Sequence, residues 1–143
     1  MQFERNVDFF FPGTKASFIK KEIDISIYLP EQNLLEWAIE LKFPRNGQYP
    51  EQMYSFCKDI VFAEQLKSAG FKKSGLLIFA DDKRFYEGAS DGIYGFFRAQ
   101  KQLTGTIQKP TGKKDSELKI SGKYNVNWQD LEDPLKYTII EAV

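Results

Sequence analysis

The stretch Glu22-Ile23-Asp24-Ile25-Ser26-Ile27-Tyr28-Leu29, then Pro30-Glu31-Gln32-Asn33, then Leu34-Leu35-Glu36-Trp37-Ala38-Ile39-Glu40-Leu41-Lys42-Phe43, decides how this chain folds. In the first run Ile23, Ile25, Ile27 and Leu29 alternate with Glu22, Asp24, Ser26 and Tyr28. In the second, Leu35, Trp37, Ile39, Leu41 and Phe43 alternate with Glu36, Ala38, Glu40 and Lys42. A period of two marks half-buried strands, and the Pro-Glu-Gln-Asn segment is a loop, so the two runs predict a hairpin. Asp24 sits on the polar side of the first strand. Glu40 and Lys42, two residues apart, share the polar side of the second. Three chemically matched groups can therefore meet. Two carboxylates suit a hard cation such as Mg²⁺, with Mn²⁺ as a substitute, and an ammonium can orient water or stabilise developing negative charge. Alternating charge that merely keeps an exposed strand face soluble is the competing reading.

Outward from the hairpin, Pro44 to Pro50 forms a polar connection, and Glu51 to Ala69 reads as a helix. Met53, Phe56, Cys57, Ile60 and Val61 recur at helical spacing, Pro50 suits the first turn and Gly70 a stop. Gly75 to Ala80 is a continuously apolar run that predicts a buried strand, with Asp81 and Asp82 in the turn after it. Thr14 to Lys20 reads as a strand, Asp91 to Leu103 as a helix weakened by Gly92 and Gly95, and Thr104–Lys109, Glu117–Tyr124 and Lys136–Ala142 as strands. Pro110 to Asp115 fits a hairpin loop. No repeat or linker interrupts residues 1–143, so a single domain is expected, of α/β or α+β class, with a central mixed sheet flanked by helices.

Composition narrows the chemistry. The chain carries 20 basic and 20 acidic residues, so it has none of the strong positive charge of a tail-type nucleic-acid binder. The lysine pairs Lys20–Lys21, Lys72–Lys73 and Lys113–Lys114 read as solvated surface. With no His, zinc sites built on His and Cys, Ser-His-Asp triads and His-based phosphotransfer are excluded. Cys57 lies in the apolar helical stretch, where a small buried hydrophobe is expected rather than a nucleophile. One Cys allows no internal disulfide. Met1 is followed by polar residues rather than a basic-then-apolar signal, and no run has transmembrane length, so a soluble cytoplasmic protein is expected.

A strand with Asp, a turn, a strand with Glu-x-Lys, a helix and a further strand resembles the PD-(D/E)xK nuclease superfamily, over roughly Lys21 to Asp82. The resemblance implies a restriction-endonuclease-like fold, with Asp24 and Glu40 as ligands of Mg²⁺ and Lys42 assisting the attacking water. Some members add a Gln in the following helix and a Tyr four residues later. Gln52 and Phe56 match that in part, and Gln48 competes for the role. Ile23 stands where the motif has Pro, and the helix with a Glu that usually precedes these strands has only Glu4 and Asp8 as stand-ins. Implied in turn is a metal-dependent nuclease acting on nucleic acid, with DNA favoured, in restriction, repair or defence. Double-strand cleavage with one centre per chain would favour a homodimer. A catalytically silent nuclease-like domain that binds nucleic acid or protein, and an unrelated interaction module, are the alternatives.

Overall fold

The computed structural model describes residues 1–112 and 116–143. The lysine pair Lys113–Lys114 and the end of the 110–115 loop lie outside the described residues. The hairpin forms where the alternation places it: β2 spans Glu22–Leu29 and β3 spans Leu34–Lys42, paired antiparallel with Ile25 opposite Ile39 and Ser26 opposite Ala38. At the N-terminal side β1, Gln2–Asn6, adds antiparallel to β2, and a short helix α1, Val7–Phe10, follows it. The long helix α2, Tyr49–Ala69, crosses the sheet and returns the chain to β4, Lys73–Ala80, parallel to β3. Gly70 ends α2 with φ +144°, a backbone region that L side chains rarely adopt.

Beyond β4 lie a five-residue helix α3, Tyr94–Arg98, a separate two-stranded ladder of β5, Leu103–Gln108, and β6, Glu117–Tyr124, and then β7, Gln129–Glu132, and β8, Leu135–Glu141. The main sheet has six strands in the order β1-β2-β3-β4-β8-β7, mixed in direction. The molecule is thus α+β, a mixed sheet with helices packed on it. Among the described residues no helix is long and apolar enough to cross a membrane.

Packing explains why α2 is apolar over more than one stripe. Its Met53, Phe56, Cys57 and Ile60 join Leu76 and Ile78 of the main sheet on one side, and Ile107, Leu118 and Ile120 of the β5–β6 ladder on the other. A helix buried between two layers has little surface left for polar residues. Farther along, Phe62 and Leu66 pack with Ala38, Ile23, Val7, Phe18 and Phe71 in a second cluster. Ser26, Ala38 and Ser74 are register partners across β2, β3 and β4, and all are buried. Their small side chains let the bulky residues of α2 sit close to the sheet.

Three local readings are corrected. Thr14–Lys20 is no strand, since Lys15–Ser17 form a single 3-10 turn. The helix expected over Asp91–Leu103 shrinks to Tyr94–Arg98, with Leu103 already in β5, as the helix-weakening glycines suggest. In β2 burial falls on Ile23 and Ser26 while Leu29 is exposed, so the clean alternation does not carry through. The register slips between Ile27 and Tyr28, and the ladder to β3 stops at Ile25–Ile39, which breaks the period of two.

The largest difference concerns which side of β3 faces the core. Ala38, Glu40 and Lys42 point toward α2, whereas Leu41 and Phe43, on the apolar side, are exposed. Polar residues face inward here because α2 brings its own charged partner, Asp59.

Candidate active site

Past the Ile25–Ile39 pair, β2 and β3 are joined by side chains instead of ladder bonds. The Asp24 backbone N–H donates to Glu40 Oε2 at 2.9 Å, and the Leu41 N–H donates to Asp24 Oδ2 at 2.8 Å. Each carboxylate thus holds a backbone donor of the opposite strand, which fixes Asp24 and Glu40 side by side where the strands part. Glu40 is 1% exposed, so the reading of an exposed, solubilising strand face does not apply to it.

Around this pair stand three more charges. Lys20, in the segment leading into β2, donates to Glu40 Oε1 and, at 3.0 Å, to Asp59 Oδ1 of α2. Lys42 approaches Asp59 Oδ2 at 3.3 Å. That contact is an ion pair without hydrogen-bond alignment, and among the described residues Asp59 Oδ2 has no hydrogen-bond partner although Asp59 is 1% exposed. When Glu40 is ionised, Asp24, Glu40 and Asp59 against Lys20 and Lys42 leave one uncompensated negative charge in a partly buried cluster, a setting that favours a further cation.

Burial pushes the Glu40 carboxyl from its ordinary 4.5 up to about 7, with the charge and hydrogen bond of Lys20 and the Asp24 N–H offsetting only part of the rise. Burial by itself would pull Lys20 down, but Glu40 and Asp59 outweigh it and hold the ammonium above its ordinary range. The Glu40 shift predicts a stability signature. The folded chain keeps the Glu40 proton to about pH 7 and the unfolded chain loses it near 4.5, so folding binds the extra proton between those values. Stability from this group is fully present below the unfolded pKa and is lost as pH rises toward 7. Urea unfolding at a series of pH values should show wild type losing ground to Glu40→Gln across that window. A gain for wild type would contradict the burial of an ionisable Glu40.

Of the residues expected at the site, Asp24 and Glu40 are in direct contact and Lys42 is linked to them only through Asp59 and Lys20. Gln52 lies in the first turn of α2, where its backbone N–H bonds to Gln48 O. Among the described residues its side chain makes no hydrogen bond to the trio. Glu4 and Asp8 are exposed, and Asp8 is occupied by the Gly13 N–H, so neither supplies an acid here. Lys20 and Asp59 are the additions. Asp59 has a signature in the sequence, a charged residue between Phe56 and Ile60 within the apolar stripe of α2. Lys20, expected with Lys21 to be solvated surface, is instead 24% exposed and bound to Glu40 and Asp59.

Other candidates are accounted for structurally. Cys57 is buried and burial pushes its thiol up, which makes it a poor nucleophile. Asp81 pairs with Arg45 at 2.7 Å, and Asp82 accepts from Tyr49 and caps the turn at Arg84.

No protein-family model matches this chain, and no curated protein or solved structure matches it. Among the described residues no three Asp, Glu, Cys or His side chains are grouped to hold a metal ion unaided. The donor set still fits Mg²⁺, which binds through one or two carboxylates and keeps several waters. Asp24 and Glu40 are the residues that could supply those two carboxylates.

Proposed function

We propose that this chain is a metal-dependent nuclease that hydrolyses nucleic-acid phosphodiester bonds, DNA being the favoured substrate. The observation that carries the reading is the meeting of half-buried Asp24 with buried Glu40 at the parting of β2 and β3, where Lys20 binds Glu40 and buried Asp59 holds both Lys20 and Lys42. Strands that exist only to pair gain nothing from burying a carboxylate such as Glu40 where their ladder ends. Asp24 and Glu40 would hold Mg²⁺ or Mn²⁺. Bound there, the metal supplies charge neutralisation at the scissile phosphate and a more acidic water. Lys42, anchored by Asp59, directs its ammonium toward the attacking water or the charge that develops on phosphate oxygen. The order hairpin, helix, parallel strand agrees with the PD-(D/E)xK resemblance, and a restriction-endonuclease-like fold and a role in restriction, repair or defence rest on that resemblance.

A second reading, a catalytically silent nuclease-like domain, is favoured by one contact. Lys20 already fills the space between Glu40 and Asp59 that a cation would take. The two are separated by calorimetric titration with Mn²⁺ on the wild type and on Asp24→Ala, followed by cleavage assays on plasmid and single-stranded DNA. The nuclease should bind Mn²⁺, lose at least tenfold in affinity, about 1.4 kcal/mol, on Asp24→Ala, and cut DNA only with metal. Absence of Mn²⁺ binding in both proteins removes the proposed centre. Binding without cleavage leaves the silent domain.

A further inference from the structure

The face of the main sheet turned away from α2 is apolar from strand to strand. Register partners keep it continuous: Phe3 beside Ile25, Ile25 beside Ile39, Leu41 beside Leu77, and Leu77 beside Ile139. Phe43 and Phe79 meet with their rings inclined at 59° and centroids 6.4 Å apart, and Phe79 meets Tyr137 at 6.3 Å. Phe3 and Ile139 are 65% and 66% exposed, yet they point from the same face. Among the described residues α2 and the β5–β6 ladder both pack on the opposite face. Five neighbouring strands about 4.8 Å apart, each contributing about seven residues at about 3.3 Å, give a plan area of roughly 500 Å². That is at the upper end of the largest apolar patch an ordinary monomer exposes, about 300–600 Å².

We infer that this face docks onto the same face of a second copy of the chain, making a dimer of two sheets packed front to front. Four observations select that occupant. The plan area for two copies totals about 1,000 Å², the floor for a specific protein interface, and rugged side chains raise the accessible area above it. The face holds few cations, so a phosphate backbone or an anionic lipid surface finds little to bind. The chain has formal net charge +0, so two copies meet without electrostatic repulsion.

The fourth is shape. Beside the protruding Ile139 lies a hollow of about 190 Å³ at Gly75, walled by Trp37, Ile39 and Leu77. Gly75 is held open because a Cβ there would lie 2.7 Å from Ile140 O. The hollow is smaller than the ~300–1,000 Å³ of small-molecule sites but suits a single side chain. Knob and hollow are diagonal neighbours on β4 and β8, so a two-fold axis between them seats each Ile139 in the other copy's hollow. Lys73, over the Trp37 ring, and Glu141, opposite Gly75, put one charge of each sign on the rim at that end.

Sedimentation equilibrium over about 1–100 µM, a range in which interfaces of this size associate, tests the proposal on wild type, Ile139→Glu and Phe3→Glu. The wild type should sediment as a dimer, and each variant should be monomeric with an unchanged far-UV circular dichroism spectrum. Trp37 emission in the wild type should shift to the blue with concentration, and in Ile139→Glu it should not. A monomeric wild type overturns the inference, as does a dimer that survives both substitutions. Liposome or DNA binding that is lost in the variants of a monomeric chain overturns it too, assigning the face to a different occupant.

Discussion

Replacing Lys20 by methionine should cost the metal-free chain about 3–5 kcal/mol of stability at pH 8, and saturating Mn²⁺ should return a large part of it. Lys20 is 24% exposed and bridges Glu40 and Asp59, each 1% exposed. Removing one partner of a buried ion pair is worth about that much, because the remaining charge is left without compensation. Lys42 then faces Asp59 alone and Glu40 has no cation at its Oε1. The loss should shrink as pH falls, because without Lys20 to offset burial the Glu40 carboxyl is pushed up further and takes a proton instead of remaining charged. Mn²⁺ distinguishes a centre made for metal from a structural ion pair. At a hundred times its dissociation constant a ligand of the folded state adds about 2.7 kcal/mol. Urea unfolding of Lys20→Met with and without Mn²⁺ measures both quantities. If Mn²⁺ stabilises wild type and variant equally little, the ammonium is a structural member and not a stand-in for a cation.

The reason Lys20 matters also explains where the sequence was legible. Periodic segments announced themselves: β2, β3, α2, β4 and β8 fall within a residue or two of the positions that alternation, helical spacing and Gly70 imply. Those elements suffice to bring Asp24, Glu40 and Lys42 to one region. The facing of β3 was not legible, because alternation says which residues share a side and not which side a helix will cover. Large apolar residues normally go inside. Here Leu41 and Phe43 stay out while Glu40 goes in, since α2 offers Asp59 and the Lys20 segment folds over the pair. Groups brought from non-periodic segments, such as Lys20, have no spacing to betray them. The first twenty residues illustrate the same limit, for Lys15–Ser17 and α1 are each a single turn fixed by tertiary contacts.

Lys42→Ala should lower metal-dependent DNA cleavage by about 10²–10⁴-fold while leaving Mn²⁺ affinity within about tenfold of wild type. The split follows from position. Asp24 and Glu40 are locked by the Asp24 and Leu41 N–H groups at 2.9 and 2.8 Å, and neither bond involves Lys42, so the carboxylate pair should survive its removal. Lys42 is 27% exposed and is tethered by an ion pair with Asp59 that lacks hydrogen-bond alignment, so its ammonium is held near the site with donors to spare. Such a group contributes where charge develops in the transition state and little to the ground state. Asp59→Asn should act through Lys42, lowering kcat with a smaller effect on KM, because a mispositioned ammonium weakens the transition state rather than binding. Arg at position 42 should restore charge but not geometry, since the planar guanidinium is a poor substitute for a compact ammonium. Single-turnover cleavage of a labelled duplex, beside a Mn²⁺ titration of each variant, reads both halves. Cleavage that persists in Lys42→Ala removes Lys42 from the chemistry, and equal loss of cleavage and Mn²⁺ binding makes it a structural member of the metal site instead.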